Sequence, residues 1–280
     1  MTSSTRLSTI EAIYNKRAPG YDSEGGFHPA QAADYLKWMD LKPGQHVLDL
    51  ACGTGAITVP AAELVGSSGK VVGVDISGDS LVIARSKAEK KGISVAFVHH
   101  DIAHLDGLEE IKEGSFDVIS CAAAFVLLED SASAVKGWAK LLKVGGVMIF
   151  DVLTPNSMVA NWVLNVVGDK LNIEVNYGRT KLDSVKKVKA LLTEAGLDDS
   201  DTFVSDSYSE KEVDAKDPGG MFEDMVGRKG WSESVHSGFL DPARKPLAKE
   251  MFCKEIEKLA DKDGKILEEM KVIMAVGKKV

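Results

Sequence analysis

The sequence predicts a doubly wound α/β fold, in which helices cover both faces of a seven-stranded, mostly parallel sheet. Short, strongly apolar runs alternate along the chain with stretches of helical periodicity, and glycine-containing turns separate them. Runs that are apolar at nearly every position are typical of strands buried on both faces, joined by right-handed crossovers. At 280 residues, with 44% hydrophobic and 27% charged residues, the chain has the composition of a globular protein, not of a disordered chain or a disulfide scaffold.

The predicted elements begin with two short amphipathic helices. Apolar residues recur at helical spacing from Leu7 to Tyr14 and again from Ala33 to Met39. Between these helices, a segment containing glycine and proline is expected to be irregular. Together they define a predicted N-terminal helical cover over residues 1–41.

The core of the fold is predicted over residues 42–155, where strands and helices alternate regularly. Glycines close the helices, and each strand is a short apolar run. Strands are expected at residues 46–50, 71–75, 94–100, 116–122 and 147–152, and helices at residues 56–65, 80–91 and 131–143.

The remainder, residues 156–280, is predicted to complete the sheet around an insertion. Helices are expected at residues 156–167 and 184–195, and the last two strands at residues 202–208 and 271–276. Between those strands, residues 209–268 form an α-rich insertion with a helix at residues 243–260. An insertion of that length is uncommon without a function, so we interpret it as an acceptor-binding lid.

Charge, cysteine content and hydropathy restrict the class of protein. The net charge of −8 argues against a nucleic-acid partner, because such proteins usually carry a basic surface. Three dispersed cysteines favour free thiols in a reducing compartment. The N-terminus lacks an apolar run of signal length, and no stretch approaches the roughly 20 apolar residues that span a bilayer. We therefore predict a cytoplasmic protein without a membrane partner. The sequence leaves the oligomeric state open and slightly favours a monomer.

The most informative motif follows the first predicted strand. Residues 47–55 read Val-Leu-Asp-Leu-Ala-Cys-Gly-Thr-Gly, so that Gly53 and Gly55 allow a tight turn and a close approach of ligand to backbone. Asp75 ends the second strand, twenty residues after Gly55, where a carboxylate can accept hydrogen bonds from both hydroxyls of a ribose. The alternative is that the glycines only make the turn and Asp75 only caps the next helix. The complete strand–helix rhythm around the motif favours a nucleotide site.

The identity of the nucleotide follows from two departures from a dinucleotide site. Thr58 stands where a third glycine would allow close packing around a pyrophosphate, and Asp49 lies within the turn. A carboxylate there would repel a pyrophosphate and attract an ammonium group. The ligand that combines an adenosine ribose with an amino acid ammonium is S-adenosylmethionine.

These motifs resemble those of the class I S-adenosylmethionine-dependent methyltransferases, especially the subgroup like the ubiquinone C-methyltransferases. The fourth strand and the Gly145-Gly146 turn before the fifth also match, whereas Ala51 replaces a glycine that many members have. The resemblance implies a Rossmann-like core and a cofactor site in which Asp49, Ala51, Gly53 and Gly55 hold the methionine part and Asp75 the ribose. It further implies that the cofactor meets Tyr21, Ile76, Asp101, Ile102 and Ala122.

The acceptor is expected to be a small hydrophobic molecule. No Asp/Asn-Pro-Pro-aromatic signature follows the fourth strand, and by the resemblance this disfavours an enzyme that acts on an exocyclic base nitrogen. Residues 123–126 there are apolar, which suits a hydrophobic acceptor. Aromatic residues elsewhere either line an acceptor site or only pack the insertion onto the core. They are Phe27, Phe125, Trp162, Phe222, Trp231 and Phe239.

Candidate catalytic groups are few. His28 and His236 lie in segments expected to cover the site, and each is a candidate general base or simply a surface residue. His99 and His100 are adjacent on a strand, so their side chains face opposite ways, and we predict no metal site.

The whole chain also looks like fungal natural-product methyltransferases of the type that S-methylates gliotoxin-like epidithiodiketopiperazines. This resemblance implies thiol methylation in secondary metabolism, which needs little base catalysis because thiols ionise near neutral pH. The alternatives are O-, N- or C-methylation of another small molecule, or a regulatory protein that binds the cofactor without turnover.

Overall fold

A computed structural model describes residues 3–23, 26–173, 175, 182–227 and 236–280. The chain forms two compact units. The first comprises Met1–Asp151, Val185–Phe203 and Met274–Val280, and the second comprises Val152–Ser184 and Val204–Ile273. The predicted α/β class is confirmed, and the central sheet contains eight strands, two of them very short.

The sheet is built on five neighbouring parallel strands in the order β3-β2-β1-β4-β5. The strand β10 follows β5 in the sheet and pairs with the short strands β6, in antiparallel orientation, and β7. The bounds are β1 His46–Leu50, β2 Lys70–Asp75, β3 Ala96–His99, β4 Phe116–Cys121, β5 Leu142–Leu153, β6 Leu197–Asp198, β7 Phe203–Val204 and β10 Val272–Lys279.

Helices join these strands and precede them. Both N-terminal helices are longer than the apolar patterns that predicted them. A 3₁₀ turn at Ala18–Gly20 lies in the segment between them. The bounds are α1 Ser3–Arg17, α2 His28–Met39, α3 Thr58–Val65, α4 Gly78–Lys90, α5 Ser131–Leu141, α6 Val159–Leu171, α7 Val185–Glu194, α8 Pro218–Gly227 and α9 Lys245–Leu259. Further 3₁₀ turns span Phe125–Leu127 and Ser237–Leu240.

The core of the first unit is formed by buried residues of the parallel strands and of the helices that cover them. Val47, Leu48 and Leu50 of β1 are fully buried, because β1 has a strand on each side and helices on both faces. Reversal of strand order occurs at β1, whose neighbours β2 and β4 connect in opposite directions along the sheet. Ligands of such sheets bind beyond the carboxyl ends of the strands at that point.

Two predicted strands differ from those observed. β5 begins at Leu142 instead of Val147, because Leu142 pairs with Phe116 before a register shift that Gly145, with φ of 81°, accommodates. Of the strand expected at residues 202–208, only Phe203 and Val204 form a strand, β7. The short strand β6 precedes it in the chain.

The second unit has its own hydrophobic core, formed mainly by α6, α8 and α9. It also contains an antiparallel pair, β8 Glu210–Asp214 and β9 Lys265–Glu269, which the sequence analysis did not predict. Glu268 accepts a hydrogen bond from the amide of Val159 at 2.7 Å and so caps the start of α6.

Candidate functional site

The loop after β1 adopts a backbone that few side chains allow. Ala51, Gly53 and Gly55 have φ of 55°, 53° and 82°, all in the left-handed region. A Cβ on Gly55 would lie 3.1 Å from Cγ2 of Val59 and 3.2 Å from Cβ of Ala84, so Gly55 permits close helix packing. A Cβ on Gly53 would meet no atom within 4 Å, and Gly53 lines a cavity. Gly55 therefore allows close packing of the helices, and Gly53 leaves space for a ligand beside the backbone.

Asp75 lies at the end of β2 and lines the same cavity. Its two carboxyl oxygens accept hydrogen bonds from the backbone amides of Gly53 and Ser77, each at 2.7 Å. Burial raises the pKa of Asp75, although these amide bonds oppose the shift. Each oxygen keeps a second lone pair, so the carboxylate is held in place with acceptor capacity for a ligand.

Asp49 does not line the cavity. It is buried beneath the loop, where it accepts hydrogen bonds from the hydroxyls of Thr58 at 2.5 Å and Ser120 at 2.8 Å. Burial raises the pKa of Asp49 to about 6, with the two hydroxyls acting against it. These two bonds hold the carboxylate against the start of α3 and against β4, beneath the loop in which it was predicted to meet the methionine part of the cofactor.

The cavity lies entirely within the first unit and is open to solvent, and its lining encloses about 760 Å³ of space, the solvent-open part included. It brings together eight of the ten residues predicted to bind the cofactor, and leaves out Asp49 and Gly55. The eight are Tyr21, Ala51, Gly53, Asp75, Ile76, Asp101, Ile102 and Ala122. Sequence reasoning missed most of the remaining wall, which is formed by Leu7, Ile10, Tyr14, Ser80, Ala123, Ala124, Leu127 and Leu128.

The N-terminal segment forms one wall of the cavity through Tyr14 and Tyr21. The guanidinium of Arg17 lies over both rings, 5.5 Å and 5.1 Å from their centroids. Burial raises the pKa of Tyr14 to about 12, so its phenol stays protonated at neutral pH. The periodicity of α1 indicated an apolar face but not that a ligand cavity would be its partner.

Asp22 ties this wall to the glycine loop. It accepts a hydrogen bond from the hydroxyl of Thr54 at 2.6 Å and forms an ion pair with Lys87 of α4 at 2.6 Å. Partial burial acts to raise the pKa of Asp22, but the bonds from Lys87 and Thr54 outweigh it and hold the pKa below its ordinary value.

The other side of the cavity lies beyond β2 and β3. Asp101 accepts a hydrogen bond from the amide of Ala103 at 2.9 Å and lies 2.9 Å from Nδ1 of His104. The carbonyl of Ile102 accepts the indole N–H of Trp138 at 2.8 Å, which fixes this turn to α5. Asp101 and Ile102, both predicted to meet the cofactor, line the cavity from this turn.

Several candidates for acceptor binding or catalysis in the first unit lie outside the cavity lining. Phe125 is buried and stacks on Phe150, with ring centroids 4.0 Å apart, so it packs the core. His28 stacks between the rings of Tyr21 and Phe27, at 5.6 Å and 4.4 Å. His28 therefore touches a residue that lines the cavity without lining it.

The candidates in the second unit belong to its core. Phe222 and Phe239 are fully buried there, with ring centroids 6.3 Å apart, and Trp162 packs against the same cluster. His236 is buried as well, and its Nδ1 lies 3.1 Å from the carbonyl of Met225. These positions reflect packing of the insertion rather than an exposed lining. Trp231 lies outside the described residues.

Two cysteines of the first unit are buried. Cys52 and Cys121 are buried at the ends of β1 and β4, where burial raises the pKa of both thiols well above the ordinary value. Over the residues described, the structure contains no cluster of three or more potential metal ligands and no helix long and apolar enough to cross a bilayer.

Comparison with known proteins gives consistent matches. A family model described as "Methyltransferase domain" matches residues 41–196. Nocamycin O-methyltransferase from Saccharothrix syringae is 30% identical over 154 residues, which cover 54% of this chain and 54% of that protein. A ubiquinone/menaquinone biosynthesis C-methyltransferase from Pseudomonas paraeruginosa is 26% identical over 217 residues, covering 70% of this chain and 83% of that protein.

The solved structures agree on the fold. A Bacillus halodurans protein classed as a methyltransferase superimposes with a TM-score of 0.58 at 20% identity, covering 89% of this chain and 99% of that one. The first four curated relatives are covered over 54% to 65% of their own length.

Proposed function

Because the chain belongs to the methyltransferase domain family, we propose that it transfers the methyl group of S-adenosylmethionine to a small, apolar acceptor. The observation that carries this proposal is the pairing of Asp75 with Gly53. A carboxylate held by two backbone amides stands beside a glycine whose Cβ position is open, both in one cavity. That combination suits a ribose next to an amino acid group passing close to the backbone.

The residues present fit S-adenosylmethionine. Asp75 would accept bonds from the ribose hydroxyls, Gly53 would leave room for the methionine part, and Asp101 would accept from the adenine amino group. When bound, the cofactor supplies an electrophilic methyl group on a sulfonium. The chain's own contribution is to hold the acceptor in line with the methyl–sulfur bond and to exclude water, which is where positioning lowers the barrier most.

The chemistry of the lining favours an acceptor that ionises without help. The carboxylates of the cavity follow β2 and β3, on one side of β1, whereas the end of β4 on the other side contributes Ala122, Ala123 and Ala124. Among the described lining residues there is no histidine, lysine or cysteine. A thiol forms a thiolate near neutral pH without a strong base, so we propose S-methylation of a thiol or dithiol as the specific reaction.

The small-molecule class is supported by the relatives, whose names specify nocamycin and ubiquinone or menaquinone biosynthesis. The apolar part of the cavity wall suits such acceptors: Leu7, Ile10, Ile102, Leu127 and Leu128 line it. O- and C-methylation of another small molecule remain the competing reactions, because the relatives named above carry them out.

Calorimetry with S-adenosylhomocysteine tests cofactor binding. Asp75→Ala should weaken binding at least roughly 10- to 100-fold, because even one bond to a charged acceptor is worth about 1.5–3 kcal/mol. Asp79→Asn is the matched control, since it removes a nearby exposed carboxylate in the first turn of α4 and should bind normally. Unchanged affinity in Asp75→Ala would contradict the proposed site.

Transfer is tested with cofactor labelled in its methyl group and a panel of apolar thiols, dithiols, phenols, amines and carbon acids. We expect label in the thiols. Label in phenols or carbon acids alone would reject S-methylation and retain methyl transfer, whereas cofactor binding with no labelled product would favour a regulatory protein.

A further inference from the structure

Asp151 is a buried carboxyl that the proposed cofactor site does not use. It is only 3% exposed and belongs to β5, in the part that completes the first unit. Its Oδ1 accepts the hydroxyl proton of Tyr35 at 2.6 Å and the backbone amide of Ala123 at 2.7 Å. The same hydroxyl oxygen lies 3.1 Å from the carbonyl of Cys121. One carboxyl oxygen therefore joins α2, β5 and the end of β4.

The backbone that Asp151 holds is an unusual one. Ala123 has φ of 54°, a left-handed conformation that an alanine adopts only when its surroundings stabilise it. It lies between Ala122 and Ala124, and all three line the cavity. In this conformation the amide of Ala123 donates a hydrogen bond to Asp151.

The position of this segment matters for transfer. β4 is the neighbour of β1, with Cys121 paired to Leu50, so residues 122–124 emerge beside the glycine loop. They form the alanine-lined part of the cavity, which includes the predicted cofactor contact Ala122 and which we assign to the junction of cofactor and acceptor. A displacement of about 1 Å at such a place costs as much as 100-fold in rate, because in-line attack tolerates little misalignment.

We propose that Asp151, assisted by Tyr35, is a positioning residue for methyl transfer, which holds residues 122–124 where the acceptor meets the cofactor. The expected effect of Asp151 on methyl transfer rests on the proposed function. That Asp151 holds residues 122–124 in place rests on the hydrogen bonds alone. Asp151 touches neither the cavity nor a reacting atom, so its effect passes through the backbone of Ala123.

The choice of residue agrees with this role. Burial raises the pKa of Asp151, so a carboxyl at this place is costly, and the hydrogen bonds from Tyr35 and Ala123 offset part of that cost. An asparagine can offer its amide oxygen to the same two donors, whereas an alanine leaves both donors buried without an acceptor. Asp151→Asn and Asp151→Ala therefore separate the role of the acceptor oxygen from that of the charge.

The experiment compares Asp151→Asn, Asp151→Ala and Tyr35→Phe with wild type. Asp117→Asn is the matched control, because Asp117 also accepts a backbone amide, that of His46 at 2.7 Å, but at the opposite end of β4. Three quantities are measured: kcat and KM with an acceptor from the panel, the Kd of S-adenosylhomocysteine, and hydrogen exchange of peptides covering residues 122–128.

In Asp151→Ala we expect kcat to fall about 10- to 100-fold, Kd to change less than about threefold, and exchange at residues 122–128 to accelerate. Asp151→Asn should restore most of kcat, Tyr35→Phe should lower kcat several-fold, and Asp117→Asn should match wild type. Unchanged kcat and unchanged exchange in Asp151→Ala would overturn the proposal, as would a loss of cofactor affinity that accounts for the whole loss of activity.

Two contingencies keep the results distinct. If wild type methylates no acceptor in the panel, the proposed function fails, and exchange at residues 122–128 alone decides whether Asp151 holds the segment. If Asp151→Ala does not fold, Tyr35→Phe decides, and wild-type kcat with wild-type exchange in that variant would overturn the proposal.

Discussion

The two glycines of the loop after β1 should fail in different ways when each is replaced by alanine. Both substitutions force an alanine into a left-handed backbone, at about 1–2 kcal/mol. Only in Gly55→Ala does the new Cβ also press on Val59 and Ala84, at 3.1 Å and 3.2 Å, which adds about 1–3 kcal/mol of overpacking. Gly55→Ala should therefore lose roughly 2–5 kcal/mol of stability, and Gly53→Ala roughly 1–2 kcal/mol.

Cofactor binding should show the opposite order. The Cβ of Gly53→Ala occupies open space in the lining of the cavity, so the affinity for S-adenosylhomocysteine should fall roughly 5- to 160-fold, which corresponds to about 1–3 kcal/mol. Folded Gly55→Ala should bind with smaller loss. Thermal unfolding, at about 2–4 °C per kcal/mol, and calorimetry measure the two effects.

The control for this pair is Gly137→Ala within α5, where φ is not left-handed and a Cβ meets nothing within 4 Å. It should leave binding unchanged and stabilise the protein slightly, because alanine favours a helix interior. Equal losses of stability in the Gly53 and Gly55 variants, or equal losses of affinity, would refute the separation of packing from access.

Two further predictions concern charge. The pKa of Asp49, about 6, lies above the value of an unfolded aspartate, so its contribution to stability is fully present below about pH 4 and is lost as pH rises through about 6. Denaturant unfolding at pH 5 and pH 7 should show a smaller pH dependence in Asp49→Asn, and identical dependence would contradict the assignment. Asp22→Asn should weaken S-adenosylhomocysteine binding up to about fivefold with little change in Tm, because it breaks a half-exposed pair with Lys87. Lys87→Met should reproduce that loss in calorimetry, and normal affinity in both variants would show that the tie does not support the cavity.

Local patterns were sufficient to predict most of the first unit. The apolar runs around Val47 and Val72 and the glycines that end the helices reflect short-range chemistry, and the structure has strands and helix ends at those places. Most of the eight predicted cofactor-binding residues that line the cavity likewise come from motifs at strand ends, where topology brings distant segments together.

What the sequence did not predict depends on contacts between distant residues. The carboxylate of Asp49 is bonded by Ser120, 71 residues away, and that pairing decides that it faces the interior. Asp151 and Tyr35 are 116 residues apart. The strands β8 and β9 are mostly charged, and among the described residues they form a two-stranded sheet of their own. Neither shows the apolar run that marks the central sheet.

The first helix also has a consequence for synthesis of the protein. Arg6 donates a hydrogen bond to the carbonyl of Leu127, 121 residues later in the chain, and Leu7 and Ile10 share a cavity wall with that segment. At roughly 5–20 residues per second, the helix leaves the ribosome on the order of 10 seconds before its partner has been translated. During that interval its apolar face is without its final neighbours and is accessible to chaperones that bind nascent chains.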